Sequence, residues 1–421
     1  MEEEKPRPAG SGRRSFLRGV AGGVVAGGAA GVAGGYAYHG SRPDPVAEAN
    51  AATLAGLSPA VPFHGERQAG ILPSPPRATA VVSLNSTAEN RSELVDLFRT
   101  VTEKARFLTA GGAPPPPGIS GPTDDSGILG PTVVPDGLTV TFGVGSTLFD
   151  DRYGLASKLP ATLTTMTSFP NDDLDPAQCD GDLVLQLSGG DTDTVVHALR
   201  EITRATRGGM QVNWRMDGFA SPARPTGTVP RNLMGFMDGI SQPSSTDLEK
   251  LLWIDKSDDQ AWAVDGSYLV VRLIRMLVEF WDRVDVVEQE QMFGRYRPSG
   301  YPLDADGIYA TPNYAEDPLG DVIPLNSHMR LANPRTPQTE DSRILRRAWN
   351  YDRGIDQVGD LDQGLLFTCF QKNVQKQFET VQTRLIGEPL VDYISPFGGG
   401  YFLALPGVLD GTDYLGRALL A

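Results

Sequence analysis

DLVLQLSGGDTDTVVHALREITRAT, residues 182–206, is the stretch whose reading decides the fold. A short apolar run stops at Gly189 and Gly190, which reads as a strand ending in a turn. Asp191 and Thr192 then offer side-chain oxygens to the free N–H groups of a helix start, so the segment is one strand-to-helix step.

The same step appears on either side of it. Upstream, ATAVVSLN after Arg77 reads as a strand. STAENRSELVDLFRTVTEKARFL reads as a helix with Ser86 or Thr87 as its N-cap and Leu94, Leu97, Phe98 and Val101 on its apolar face. A Pro/Gly loop, GGAPPPPGISGPTDDSG, leads to a second strand, LTVTFGVG. Downstream, SYLVVRLIRMLV (strand), WDRVDVVEQEQMFG (helix), GLLFTCFQ (strand), NVQKQFETVQTRLI (helix) and GGGYFLALPG (strand) repeat the order. Two α+β halves predict a duplicated architecture: two ferredoxin-like domains of βαβ type with antiparallel sheets, at 60–225 and 226–421. The boundary falls in the Pro-rich SPARPTGTVP that follows Phe219 and Ala220.

The N-terminus reads as an address. GRRSFLR at 12–18 precedes an uncharged Gly/Ala run from Gly19 to Gly35. Paired arginines, a nearby aromatic and a mild apolar core make the twin-arginine export pattern. A membrane span needs about 20 strongly apolar residues, which this run lacks. Residues 1–49 are therefore expected to be a signal peptide and linker, and the protein to act in the periplasm, cell envelope or medium. This route carries folded proteins, which hints at a cofactor inserted before export.

The 421-residue chain has a formal charge of −15 and no basic block suited to a phosphate backbone, so no nucleic-acid partner is expected. Its two cysteines, Cys179 and Cys369, permit one disulfide but neither a zinc site nor a C-x-x-C-H haem attachment.

The four histidines are His39, His64, His197 and His328. His39 lies in the export segment, His197 reads as a packing residue in a helix, and His64 has no second ligand nearby. His328 sits in PLNSHMRLANPR with Arg330 and Arg335 close by. Scattered histidines do not build a zinc site, but one is enough for a haem. In RNLMGFMDGISQP, Gly235 and Gly239 flank Asp238; the plain reading is a D-G turn, the functional one a backbone able to approach a flat ligand. In SRILRRAWNYDRG, Arg343 and Arg347 read as surface charges, whereas Arg346 falls two after Ile344 and shares its inward parity.

GFMDG at 235–239 matches the G-x-x-D-G signature of the dye-decolorising peroxidases, and HMRLANPR at 328–335 resembles that family's ligand-histidine segment. VTFGVGSTLFDDRYGL, GSYLVVRLIRMLVEFWDR, GRYRPSGYPL and FGGGYFLALPG are similar to its other recurring stretches, in order, from about Gly65 to the C-terminus. The closest branch includes exported, deferrochelatase-like proteins. The resemblance implies one non-covalent haem b per chain in the C-terminal half, with His328 as iron ligand and Asp238 and Arg346 as acid/base and cation above the iron. It implies Asp392 as the carboxylate on the far nitrogen of His328, with Glu388 as the alternative. Gly235, Gly239, Arg330, Leu365 and Phe367 would line or hold the cofactor, and Cys369 shares the parity of the last two. Ile240, Ser241, Gln242 and Ala348 depart from the family pattern beside the pocket.

The implied reaction is reduction of hydrogen peroxide coupled to oxidation of dyes, phenols or other bulky reductants, with Trp349 and then Tyr351 as candidate electron relays. Release of iron from intact porphyrin, haem carriage, and partnership in iron or copper handling are the competing readings.

Overall fold

The computed structural model describes residues 57–115, 123–257 and 260–421. The twin-arginine and Gly/Ala stretches, and His39 with them, lie outside the described residues. Strand β1 (Ala78–Ser86), helix α1 (Arg91–Ala110), β2 (Thr139–Gly145), β3 (Leu183–Gly189), α2 (Thr192–Ala205) and β4 (Met210–Phe219) make the first half. In the second half β5 (Ser267–Met276) leads through α3 (Val286–Phe293) and α4 (His328–Ala332) to β6 (Leu345–Ile355) and β7 (Leu361–Gln371). A π-helical turn and α5 (Thr380–Leu385) then precede β8 (Ile394–Ala404).

All strand pairs are antiparallel, and the sheet closes in the order β1-β3-β2-β8-β5-β7-β6-β4. Within the first half the order is β4-β1-β3-β2, and within the second it is β8-β5-β7-β6, the same permutation. Each half is thus one β-α-β-β-α-β unit, and the expected duplicated ferredoxin-like, α+β architecture is present. The halves meet along two short seams: β2 and β8 pair from Gly143 with Ala404 to Gly145 with Phe402, and β4 meets β6 at Phe219 and Asn350.

Closure buries both faces of the strands, which explains why β1 to β3 read as nearly unbroken apolar runs. Ala80, Val82, Phe142, Leu185 and Leu187 pack beneath Leu94, Phe98 and Val101 of α1 and Val195 and Ile202 of α2. The alternate residues, among them Val81, Val184, Met216, Val271, Leu366 and Phe402, fill the other face. Helix α1 starts later than Ser86 or Thr87. Asn90 is its N-cap, with Oδ1 accepting from the Glu93 N–H while the Glu93 carboxylate accepts from the Glu89 N–H.

Strands β4 and β6 were not among the expected elements. On β6, Leu345, Arg347 and Trp349 point one way and Arg346 and Ala348 the other. Arg347 is consequently buried rather than a surface charge, and burial pushes its guanidinium down to about 10. Trp349 is 2% exposed, packs with Leu366 and Phe370, and donates from Nε1 to the Pro76 carbonyl at 2.9 Å. It faces the barrel interior, away from Arg346. Cys179 and Cys369 are both free.

Trp349→Ala should lower unfolding free energy by about 3–5 kcal/mol, read from a denaturant midpoint.

Candidate active site

The two halves differ in what lies between sheet and helices. In the first, side chains of α1 and α2 fill that layer. In the second, α3, α4 and α5 stand over the sheet around a cavity of about 320 Å³ that opens to solvent. Ile274 and Met276 of β5, Leu365 and Phe367 of β7 and Ile394 of β8 make an apolar floor, and Phe293, Val381 and Leu385 cover it.

His328 opens α4 and lines this cavity. Its Nδ1 lies 2.6 Å from Oε2 of Glu388, a carboxylate only 4% exposed at the start of the turn Pro389–Asp392. Burial opposes protonation of the imidazole, but the charge and hydrogen bond of Glu388 outweigh it and hold the group above the ordinary histidine range. With Nδ1 committed, Nε2 is the ring nitrogen left for a ligand.

Asp238 and Arg346 also line the cavity, and they pair: Arg346 Nη1 is 3.1 Å from Asp238 Oδ1. The Asp238 N–H donates to the Pro230 carbonyl at 2.9 Å, fixing the loop. Gln242 clamps that loop to β6, its Oε1 accepting from the Arg346 N–H at 3.0 Å and its Nε2 donating to the Arg346 carbonyl at 3.1 Å. The Gln that departs from the family pattern therefore holds the backbone of the cavity's cation.

Several expected residues stand elsewhere. Asp392 is exposed and does not pair with His328; Glu388 holds that place because the turn beginning at Pro389 carries Asp392 out to solvent. Arg330 turns away from the cavity: it bonds Asp317 and the Ile323 carbonyl and lies 4.8 Å over the Tyr314 ring. Gly235 has φ +88°, and a Cβ there would come within 2.6 Å of the Arg297 guanidinium, so it serves a tight turn rather than a ligand. Gly239, at φ +96°, is likewise a turn residue outside the cavity lining. Leu365 and Phe367 line the cavity as expected, and Cys369 is core.

Sequence reading missed Arg272 and Arg295, which strand and loop geometry bring to the cavity wall. Arg272 is buried against Asp172. Arg295 donates to the carbonyls of Gly300 and Ile308, and burial lowers it to about 10. Arg335 lines the wall as well, and its Nε is shut from solvent with no partner among the described residues. An apolar floor, one braced imidazole and cations at the wall fit an iron porphyrin with its two carboxylates.

Residues 68–220 match the family described as Dyp-type peroxidase, N-terminal, and residues 229–409 that described as Dyp-type peroxidase, C-terminal. Proteins named Deferrochelatase from Shigella boydii and Escherichia coli are 46% identical over 402 residues, spanning 92% of this chain and 95% of theirs. Among solved structures, a DyP-type peroxidase from Cellulomonas bogoriensis is 34% identical with a TM-score of 0.77, covering 86% of this chain and 98% of that one. Ferric DtpA from Streptomyces lividans is 32% identical with a TM-score of 0.78, covering 87% and 98%.

Glu388→Gln should weaken haem binding or activity about 10–100-fold, measured by haem transfer to a competing apoprotein and by turnover. Asp392→Asn should change neither.

Proposed function

This chain belongs to the Dyp-type peroxidase family, and from that membership we propose that it reduces hydrogen peroxide with electrons from dyes, phenols or other bulky donors, using Asp238 and Arg346 as its working pair. Its cofactor is haem, bound without a covalent link. The observation that carries the reading is the Asp238–Arg346 ion pair at 3.1 Å lining the same cavity as the braced His328.

In this reading His328 would hold the haem iron through Nε2, and haem would supply the two electrons that reduce the peroxide. Glu388 accepts the Nδ1–H and makes the imidazole a stronger donor. Asp238 takes a proton from one peroxide oxygen and delivers it to the other, which leaves as water; a positioned acid/base of this kind contributes about 10²–10⁴ in rate. Arg346 stabilises the negative charge that develops as the bond breaks. Gln242, by gripping both backbone groups of Arg346, keeps that guanidinium within reach.

Donors too wide for the cavity have a route in the rings of Phe293, Trp281 and Tyr393, which follow one another from His328 with centroid separations of 6.0, 5.9 and 5.1 Å. A second reading rests on the relatives named Deferrochelatase: the same cavity would then release iron and leave the porphyrin whole.

Mixing haem-loaded protein with one equivalent of peroxide in a stopped flow tests the first reading. Asp238→Ala and Arg346→Ala should slow the reaction tenfold or more. A wild type no faster than free haem, together with intact protoporphyrin and free iron formed without peroxide, would move iron release to first place.

Export through the twin-arginine route is part of the proposal, carried by Arg13 and Arg14 in GRRSFLR. Replacing both by Lys should leave the protein in the cytoplasm on fractionation; unchanged export would remove this part of the reading.

A further inference from the structure

Outside the haem cavity, the first half gathers a second set of donor side chains. His197 and Glu201 stand one turn apart on α2 and so share a face. The loop before β2 brings Asp125 to them. One ligand atom from each of the three lies within 4.8 Å of the others. The side chains of His197 and Glu201 are 1% and 2% exposed and that of Asp125 10%, which sets this group apart from an ordinary surface cluster.

Each carboxylate is already oriented by its second contacts. Asp125 Oδ2 is 2.8 Å from His197 Nε2 while Oδ1 accepts the Gly127 N–H at 2.7 Å. Glu201 Oε1 accepts the Ser126 N–H at 2.9 Å, and Oε2 pairs with Arg204, which also donates to the Thr123 carbonyl. Ser126 Oγ, on the same loop, is shut from solvent and has no hydrogen-bond partner among the described residues. Burial opposes ionisation of Asp125, but the Gly127 N–H, His197 and Arg204 outweigh it and hold the carboxyl below its usual range.

We propose that Asp125, His197 and Glu201 bind one divalent first-row transition-metal ion, which ties the 123–127 loop to α2. One imidazole nitrogen and two carboxylate oxygens suit Zn²⁺ and its neighbours, at bonds of about 2.0–2.2 Å. Two negative charges and a neutral imidazole balance the ion. Arg204, the cation now in place, is part-exposed and free to swing to solvent as Glu201 closes on the metal. The N–H groups of Gly127 and Ser126 brace the ligands from behind.

The test uses the full, haem-loaded chain, stripped with a chelator and titrated calorimetrically with Zn²⁺. One equivalent should bind. Asp125→Asn, His197→Gln and Glu201→Gln should each weaken binding tenfold or more while circular dichroism and the haem spectrum stay as in wild type; with three variants, misfolding of one leaves the test intact. Zinc-edge X-ray absorption, free of interference from the haem iron, should show one imidazole among oxygen donors. No stoichiometric binding, binding unaltered in the variants, or an edge spectrum without imidazole would each overturn the proposal, leaving Arg204 as the sole cation of a purely structural cluster.

Discussion

Closure of the eight-stranded sheet is the constraint on which everything else rests. A four-stranded unit leaves two edge rows of unpaired N–H and C=O groups, and joining two such units turns those edges toward each other. The join is thin, a few residue pairs between β2 and β8 and one between β4 and β6. Its strength therefore comes from what it encloses: Trp349, Tyr351, Phe370 and Phe402 from the second half pack with Val81, Trp214 and Met216 from the first. With the barrel interior filled by these side chains, the room for a large ligand among the described residues is the cavity on the outer face, under the helices.

The two halves use that outer layer differently. Helix α1 is 20 residues long and seals the first half with a continuous apolar stripe. The second half replaces so long a helix with short pieces, α3 and α4, joined by loops. Short helices do not cover the sheet, and the uncovered strip is the cavity. The same break puts His328 at a helix start, where its ring is aimed by Glu388 instead of being packed into a helix face. The two halves share the sheet, and the shorter covering helices of the second leave the room for the site.

Much of the fold was legible because β1, β3 and β5 are apolar on both faces and α1 and α2 are amphipathic with caps. Strand β6 was hidden by its charges: Arg346, Arg347 and Arg353 mask an alternation that only the neighbouring strands make apparent. In the site, Asp238, Arg346, His328, Leu365 and Phe367 were found through motif and parity. The carboxylate on His328 was expected to be Asp392 and is Glu388, since the two lie four residues apart at the ends of one short turn and nothing local says which end faces inward. Arg272 and Arg295 carried no local signal, because each reaches the cavity through long-range geometry.

The charges around the cavity explain why an apolar slot tolerates them. Arg346 is paired with Asp238, His328 with Glu388, Arg272 with Asp172, and Arg343 with Asp247. Of these, Arg272 and Asp172 are buried on both sides, and leaving one member of such a pair alone costs about 3–5 kcal/mol, so that pair fixes the position of both partners before any ligand arrives. Arg295 and Arg335 have no ion pair among the described residues. Arg295 stays charged at neutral pH because burial lowers it only to about 10. In a chain of formal charge −15, two cations without a carboxylate at the wall of an apolar cavity are a departure from the general balance. A ligand with two carboxylates at one edge and a flat apolar body would satisfy both features.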